Sequence, residues 1–219
     1  MTPDDRRVAI VDAVLPLVGE RGVDVTTREL AAAAGVAEGT LFRVFSSKHD
    51  LVGTVALEGL RRASGPRQTR DELAAIDRTA PLEERLEQVI ELGRRRMGDV
   101  VRWITVLRVL AHRTGMGEHG ERAAAVRTEL AAQRELQRTV TVEGLTAVIQ
   151  PDAERLRVPI EVAVALVEAA IAGTHGRVDH LLPAPPARVV ADALVHGLAG
   201  PAPSRTPEPA PTAAETQEP

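Results

Sequence analysis

Apolar positions recur at three- and four-residue steps along most of the chain, the spacing of a helix with one buried face. Pro16 lies inside the first such stretch and has no amide to donate to the helix, so we predict a local kink there. Gly22 follows, and we expect it to end the helix in a left-handed conformation. The stretch covers residues 6–20, and its apolar positions are Val8, Ile10, Val11, Val14, Leu15 and Val18.

Three shorter helices are predicted next. The second helix of the chain begins at Thr26 or Thr27, since both side chains can cap it, and Gly35 stops it. A third, very short helix lies between residues 37 and 45. Ser46 or Ser47 caps the fourth, with Asp50 in its first turn, and this helix fades at residues 64–66.

The rest of the chain predicts further helices and no strand. Residues 69–78 form a short helix or an ordered connector, and Pro81 starts a helix because its fixed φ suits a first helical position. The helices that follow are predicted over about residues 100–113, after Gly117 to Pro151, from Pro159 to about Leu182, and in a short segment ending near Leu198. Residues 200–219 are mainly Pro, Ala, Thr and Glu, which predicts a disordered tail.

Composition agrees with an all-α fold. Of the 219 residues, 44% are hydrophobic but only 1% are aromatic, so the core is built from Ala, Val, Leu and Ile, which favours packed helices over a sheet. The absence of cysteine excludes disulfides and thiolate metal sites. No apolar run is long enough to span a bilayer and no cleavable leader is recognisable, so we expect a cytoplasmic protein with no membrane partner.

The most informative segment is residues 26–51. Two helices cross closely only where small side chains meet, and Ala31 and Gly35 supply that contact and the tight turn. Leu30, Val36 and Leu41 would hold the pair against the first helix. The second helix of such a pair lies in the major groove of DNA. The net charge of −4 excludes a uniformly basic surface but not a local DNA-binding face.

This segment resembles the DNA-binding domain of the TetR family of repressors. The matching positions are Thr27, Leu30, Ala31, Ala34, Gly35, Val36, Gly39, Thr40, Leu41, Phe45, Ser47, Lys48 and Leu51. The resemblance implies an N-terminal three-helix helix-turn-helix domain over residues 1–62. It also implies a larger helical ligand-binding and dimerisation domain over residues 63–199, which precedes the tail at residues 200–219.

The resemblance also implies which side chains touch DNA. Thr27 would cap its helix and bond a phosphate, and Lys48, the only lysine in the sequence, would contact phosphate at the start of the fourth helix. Phe42 stands where the family usually has Tyr, so it offers only stacking or apolar contact, for example to a thymine methyl group. The complete predicted set is Thr27, Arg28, Ala37, Glu38, Thr40, Phe42, Arg43 and Lys48.

For the second domain, the resemblance implies a cavity for a small effector. Trp103 could line that cavity or simply belong to the core, and Glu168 and His175 could orient a polar ligand or lie in solvent or at an interface. The candidate ligand residues are Leu86, Ile90, Met97, Trp103, Leu107, Leu110, Leu136, Val140, Glu168 and His175.

The resemblance further implies a homodimer formed through the last two long helices. Small residues along these helices permit a close helix approach, either between two subunits or within one. The candidate interface residues are Ala165, Ala169, Ala172, Gly173, Gly176, Val189, Ala193 and Leu194.

Residues 63–200 contain no phosphate-binding loop, nucleophile elbow or paired-histidine zinc motif. We therefore predict no catalytic residues, cofactor or metal, and we expect a repressor that an apolar effector releases from a near-palindromic operator. Two alternatives remain: an enzyme built on a helical bundle, and a helical interaction protein without DNA binding. The acidic charge balance and Phe42 are features that would fit the interaction protein.

Overall fold

The structure is a computed structural model that describes residues 2–114, 121–173 and 184–197. All of the regular secondary structure in those ranges is helical, which confirms the all-α prediction. Short 3-10 segments occupy Gly22–Asp24 and Gln150–Arg155. The α-helices are α1 (Pro3–Arg21), α2 (Thr27–Ala33), α3 (Glu38–Val44), α4 (Lys48–Ala63), α5 (Pro66–Ala74), α6 (Leu82–Thr114), α7 (Glu121–Ile149), α8 (Ile160–Ala172) and α9 (Ala187–His196).

The ends of α1 are set by specific residues. Thr2 and Asp5 form a reciprocal capping box at its start, which satisfies two amides that the helix leaves free. The helix continues through Pro16, which faces solvent, and is not interrupted by it. Gly22 ends the helix as predicted, at a φ of +59° that glycine adopts without strain, but its ψ of −134° is not that of the left-handed cap we expected.

The segment between α2 and α4 has the predicted helix-turn-helix form. Gly35, at a φ of +65°, makes the turn after α2, and the amide of Val36 donates to the carbonyl of Ala31 over 3.0 Å. Ser47 is the residue that caps α4, since its hydroxyl accepts a hydrogen bond from the amide of Asp50 over 3.1 Å.

The first hydrophobic core lies among α1, α2, α3 and α4 and the carboxyl-terminal half of α6. Leu41 of α3 and Phe45 just after it are almost fully buried in this core. Trp103, Val106 and Leu110 of α6 belong to the same cluster. The helix-turn-helix segment, which we call the DNA-binding segment after its predicted role, therefore packs directly on α6.

Helix α6 differs from the prediction. We expected separate helices on either side of residues 98–99, but a single helix runs from Leu82 to Thr114, about 50 Å at 1.5 Å per residue. The prediction was wrong because one interior glycine, Gly98, costs a helix only about 1 kcal/mol relative to alanine. Burial of side chains such as Trp103 and Leu110 on this helix more than offsets that cost.

The second core lies among α5, α6, α7, α8 and α9 and contains one buried charged pair. The Arg85 guanidinium donates to the carbonyl of Ala80 over 2.9 Å, to the carbonyl of Val148 and to the Asp152 carboxylate. Arg85 is 1% exposed, so these partners satisfy a charge that would otherwise be costly to bury. The pair fixes the start of α6 against the end of α7.

The end of the chain is described only in part. Helix α8 ends at Ala172, and the remainder of the helix predicted to reach Leu182 lies outside the described residues, as does the predicted tail. Helix α9 ends at His196. Among the described residues, no helix combines the length and apolar character needed to cross a membrane. The predicted boundary between residues 62 and 63 stays a prediction.

Candidate DNA-binding surface and ligand region

Helix α3 separates its buried side chains from its exposed ones. Leu41 and Phe45, four residues apart, point into the core and are each 1% exposed. Of the predicted DNA contacts on this segment, Thr40 is half-buried, while the exposed ones are Ala37, Glu38, Phe42 and Arg43. The helix thus turns one face inward and presents most of the predicted contacts to solvent.

Three cationic side chains lie on the helices of this segment. Arg28 on α2 and Arg43 on α3 are exposed, and Lys48 is the first residue of α4 and half-buried. None of the three forms a hydrogen bond or an ion pair with a residue that the structure describes. They are therefore available for phosphate groups, which supply most of the affinity in protein–DNA binding.

Thr27 does not cap α2, contrary to the role that the resemblance implied. Thr26 is the cap: its hydroxyl accepts from the amide of Glu29 over 3.2 Å, while its own amide donates to the Glu29 carboxylate over 2.8 Å. Thr27 is the first helical residue and half-buried. Thr26 takes the cap because Glu29 stands three residues after it and closes a capping box, a signal that was readable in the sequence.

The hydrogen bonds from Thr26 also affect the titration of Glu29. The backbone amide of Thr26, and then its hydroxyl, stabilise the charged carboxylate and lower the pKa of Glu29 below its ordinary value. Arg21 at the end of α1 forms an ion pair with the same carboxylate and adds to this effect. Glu29 thereby links the cap of α2 to α1.

Arg7 on α1 holds the end of α3, a role that the sequence analysis missed. Its guanidinium donates to the carbonyl of Val44 and to the hydroxyl of Thr54, each over 3.1 Å, and lies 4.3 Å from the ring centroid of Phe45. The same group is 3.9 Å from the Asp50 carboxylate. One side chain therefore joins α1, the end of α3 and α4.

The candidate ligand residues do not form one site. Trp103, Leu107 and Leu110 belong to or pack on the first core, whereas Leu86 and Ile90 lie in the second. Met97 and Glu168 are half-buried and Val140 is buried, but Leu136 is 52% exposed and so does not line an enclosed cavity. His175 lies outside the described residues.

Trp103 fills a space left by two glycines. A Cβ atom placed on Gly59 of α4 would lie 2.2 Å from Trp103 Cε2, and one on Gly19 of α1 would lie 3.4 Å from Trp103 Cη2. A side chain at Gly59 would displace the indole ring, whereas a Cβ atom at Gly19 would be in van der Waals contact with it. The environment of Trp103 is thus that of a packing residue between α6 and the DNA-binding segment, which is the alternative left open above.

A groove of about 970 Å³ lies at the amino-terminal end of α6. Of the candidate ligand residues that the structure describes, only Leu86 lines it, and Leu194, proposed for the dimer interface, lines it as well. The sequence analysis did not predict this groove, because its walls come from α6, the 3-10 segment after α7, α8 and α9.

The candidate dimer residues lie mostly on an open surface. The exposed members on α8 are Ala165, Ala169 and Ala172, followed by the exposed Gly173 directly after the helix. On α9, Val189 is 48% exposed while Ala193 and Leu194 are half-buried. Gly176 lies outside the described residues. Two apolar side chains that the sequence analysis missed, Val162 at 43% and Leu166 at 48% exposure, extend the same face.

One group of possible metal ligands occurs among the described residues, where the sequence predicted none. Ligand atoms of Glu83, Asp192 and His196 lie within 4.8 Å of one another. All three are at least partly exposed, and His196 Nε2 is 3.3 Å from Glu83 and 3.9 Å from Asp192. The contacts are those of a cluster of polar side chains at the surface.

Three solved structures illustrate the similarity of the whole chain to known proteins. The regulator PfmR of Thermus thermophilus is 20% identical, with a TM-score of 0.44, and the match covers 87% of this chain and 99% of that one. A TetR-family regulator of Mesorhizobium loti is 16% identical, with a TM-score of 0.46, and the match covers 89% of this chain and 95% of that one. A TetR-family regulator of Streptomyces coelicolor is 21% identical, with a TM-score of 0.45, and the match covers 90% of this chain and 79% of that one.

The amino-terminal segment separately matches a family model. Residues 10–55 match the family described as bacterial regulatory proteins, tetR family. This range includes α2, α3, the turn at Gly35 and the start of α4, and so contains the exposed face of α3. Residues 10–55 are therefore similar to the helix-turn-helix segment of the DNA-binding regulators of the TetR family.

Proposed function

We propose that this protein is a dimeric, ligand-responsive repressor that binds a near-palindromic operator. The observation that supports the proposal most directly is the exposed face of α3. Its Arg43 is exposed, and neither Arg43, nor Arg28 on α2, nor Lys48 at the start of α4 has a partner among the described residues. Base edges would meet Thr40, Arg43 and the exposed ring of Phe42, while Lys48 would contact phosphate.

Dimerisation would match the protein to a palindrome. In a two-fold dimer, the two copies of α3 would enter successive major grooves, about 34 Å apart. The open apolar face of α8 supports such a dimer, since a contiguous apolar patch of this kind often marks a protein interface. An effector that binds better to a conformation with a different spacing would release the DNA.

The proposal is tested with the DNA upstream of the protein's own gene. We expect wild-type protein to bind this fragment in a fluorescence anisotropy titration. The variant Arg43→Ala/Lys48→Ala should lose at least about tenfold in affinity, because each charge-assisted contact contributes more than about 1 kcal/mol. The salt dependence of binding should also become shallower, since fewer counterions are released.

A matched control removes the same charge elsewhere. Arg95 and Arg108 are exposed on α6 and have no partner among the described residues, so Arg95→Ala/Arg108→Ala should bind like wild type. Equal losses in both double variants, or no loss in either, would overturn the assignment of α3. A reporter gene behind the same fragment gives the direction of control: transcription should rise when the regulator is deleted.

A further inference from the structure

The groove at the amino-terminal end of α6 has the size of a small-molecule site. Its volume of about 970 Å³ falls within the usual range for ligand pockets, roughly 300–1,000 Å³. It lies between the start of α6, the 3-10 segment Gln150–Arg155, α8 and the end of α9. The DNA-binding segment packs on the other half of α6, so the groove is separate from the DNA-binding face.

The floor of the groove is apolar. Leu86, Ile149 and Val167 line it and are almost fully buried in the second core. Leu156, Leu194 and Val195 add half-buried surface that packs against the same core. A hydrocarbon chain or ring laid on this floor would be removed from water, which favours binding in proportion to the area covered.

The rim of the groove carries two arginines without partners. Arg78 and Arg157 both line the groove and are exposed, and neither forms a hydrogen bond or an ion pair with a described residue. A guanidinium group offers two parallel donors, which match the two oxygens of a carboxylate.

The acidic side chains that line the groove are already engaged. Asp152 accepts hydrogen bonds from the buried Arg85 and from Arg155, the latter over 2.6 Å. Glu83 lies 3.3 Å from His196. Asp77, next to Arg78 in sequence, accepts hydrogen bonds from the amide and hydroxyl of Thr79. The lining of the groove has four arginines, Arg78, Arg85, Arg155 and Arg157, against two carboxylates, Glu83 and Asp152, so its net charge is positive.

From the apolar floor and the unpaired arginines together, we propose that this groove binds an amphipathic organic anion, a carboxylate with an apolar body. The carboxylate pairs with Arg78 and Arg157, and the apolar body covers the floor at Leu86 and Leu156. The proposal assigns a site and a ligand class that the proposed function leaves open. Its test needs no DNA, so the ligand site and the DNA-binding function can each be disproved without affecting the other.

Octanoate and 1-octanol separate the contribution of the carboxylate to binding from that of the hydrocarbon, because both have eight carbons and only octanoate is charged. Isothermal titration calorimetry of the full chain should show that octanoate binds more tightly than 1-octanol. In Arg78→Gln/Arg157→Gln, octanoate affinity should fall about tenfold, as expected for the loss of a charge-assisted pair, while octanol affinity changes less than about twofold.

The control Arg95→Gln/Arg108→Gln changes the net charge equally but lies away from the groove, and should bind octanoate like wild type. Circular dichroism checks that both variants keep the helix content of the wild type. Equal binding of octanoate and octanol, an equal loss in the control, or no binding of octanoate to wild type would overturn the proposal.

Discussion

At the scale of single residues, the contact of Trp103 with Gly59 shows how two distant positions determine each other. The ring occupies the space where any side chain at Gly59 would begin, so the glycine is required for steric reasons. Gly59 is also buried inside α4, where no solvent gap can absorb an added methyl group. The pair holds α4 close against α6.

Gly59→Ala tests this contact. We expect the free energy of unfolding to fall by about 1–3 kcal/mol, the usual cost of overpacking a core, although alanine is the better helix former. Urea unfolding followed by circular dichroism measures the change. The control is Gly39→Ala on α3, where a Cβ atom meets nothing within 4 Å, and it should be neutral or slightly stabilising. Equal effects in the two variants would contradict the packing described for Trp103.

The sequence indicated which positions of the DNA-binding segment pack or turn inside it, but it did not indicate the packing partners of Trp103. Leu30, Gly35 and Leu41 follow from local periodicity and turn chemistry, and all three lie where the pattern predicted. The partners of Trp103 are glycines on two other helices, and a glycine in a sequence does not reveal which side chain fills the space beside it. Arg7 was missed for the same reason, since its partners at Val44 and Thr54 are distant along the chain.

At the scale of elements, the start of α2 depends on the ionisation of Glu29. Its pKa is lowered in the folded protein, so the carboxylate stabilises the fold at neutral pH. That contribution is present above the ordinary glutamate pKa of about 4.3 and is lost as the pH falls through the lowered folded value. Acid should therefore weaken the capping box that begins α2.

Glu29→Gln isolates this contribution. The amide oxygen of glutamine can still accept from Thr26, but it does not titrate and cannot pair with Arg21. We expect the variant to melt at a lower temperature than wild type at neutral pH, and the difference to shrink as the pH falls below about 4. Thermal unfolding across this range measures it, with Glu91→Gln, an exposed glutamate of α6, as the control. A difference that stays constant with pH would contradict the role of Glu29.

Element boundaries were predicted where a cap or a proline marks them and missed where neither does. Gly22, Gly35 and Ser47 bound their helices as expected. Gly98 did not end a helix, because an isolated glycine within a long, well-packed helix lowers the stability of that helix without ending it. Periodicity alone does not report how much tertiary burial supports a helix.

At the scale of the whole molecule, the open face of α8 predicts the oligomeric state. Val162 lies on this face but does not line the groove, so Val162→Asp tests the interface without altering the proposed ligand site. A two-fold interface would bury the new carboxylate twice, once from each subunit, which is strongly unfavourable.

We expect Val162→Asp to shift the protein from dimer to monomer in size-exclusion chromatography with light scattering. Affinity for a complete palindromic operator should fall by about a hundredfold or more, since two linked sites become one, while affinity for a half-site should not change. The control Val101→Asp replaces an exposed valine on α6 and should remain dimeric. A dimeric Val162→Asp would place the interface elsewhere.

The larger arrangement was less accessible from the sequence than the DNA-binding segment. Small residues along α8 were noticed, and their exposure agrees with an interface, but Val162 and Leu166 were not singled out because an apolar side chain on a helix is usually buried. The ligand candidates were chosen along separate helices, and only the packing of those helices shows that they lie in two cores.

The unbroken course of α6 has a mechanical consequence. One stretch of hydrogen-bonded backbone contributes to the groove at Leu82 and Leu86 and to the core beneath the DNA-binding segment at Val106 and Leu110. In a rod roughly 50 Å long, a tilt of about 2° at one end moves the other end by about 1.7 Å. A displacement of that size is enough to misalign hydrogen bonds to base edges. A ligand bound in the groove at the start of α6 could therefore alter the DNA contacts of the segment packed on the end of α6, with no hinge between the two.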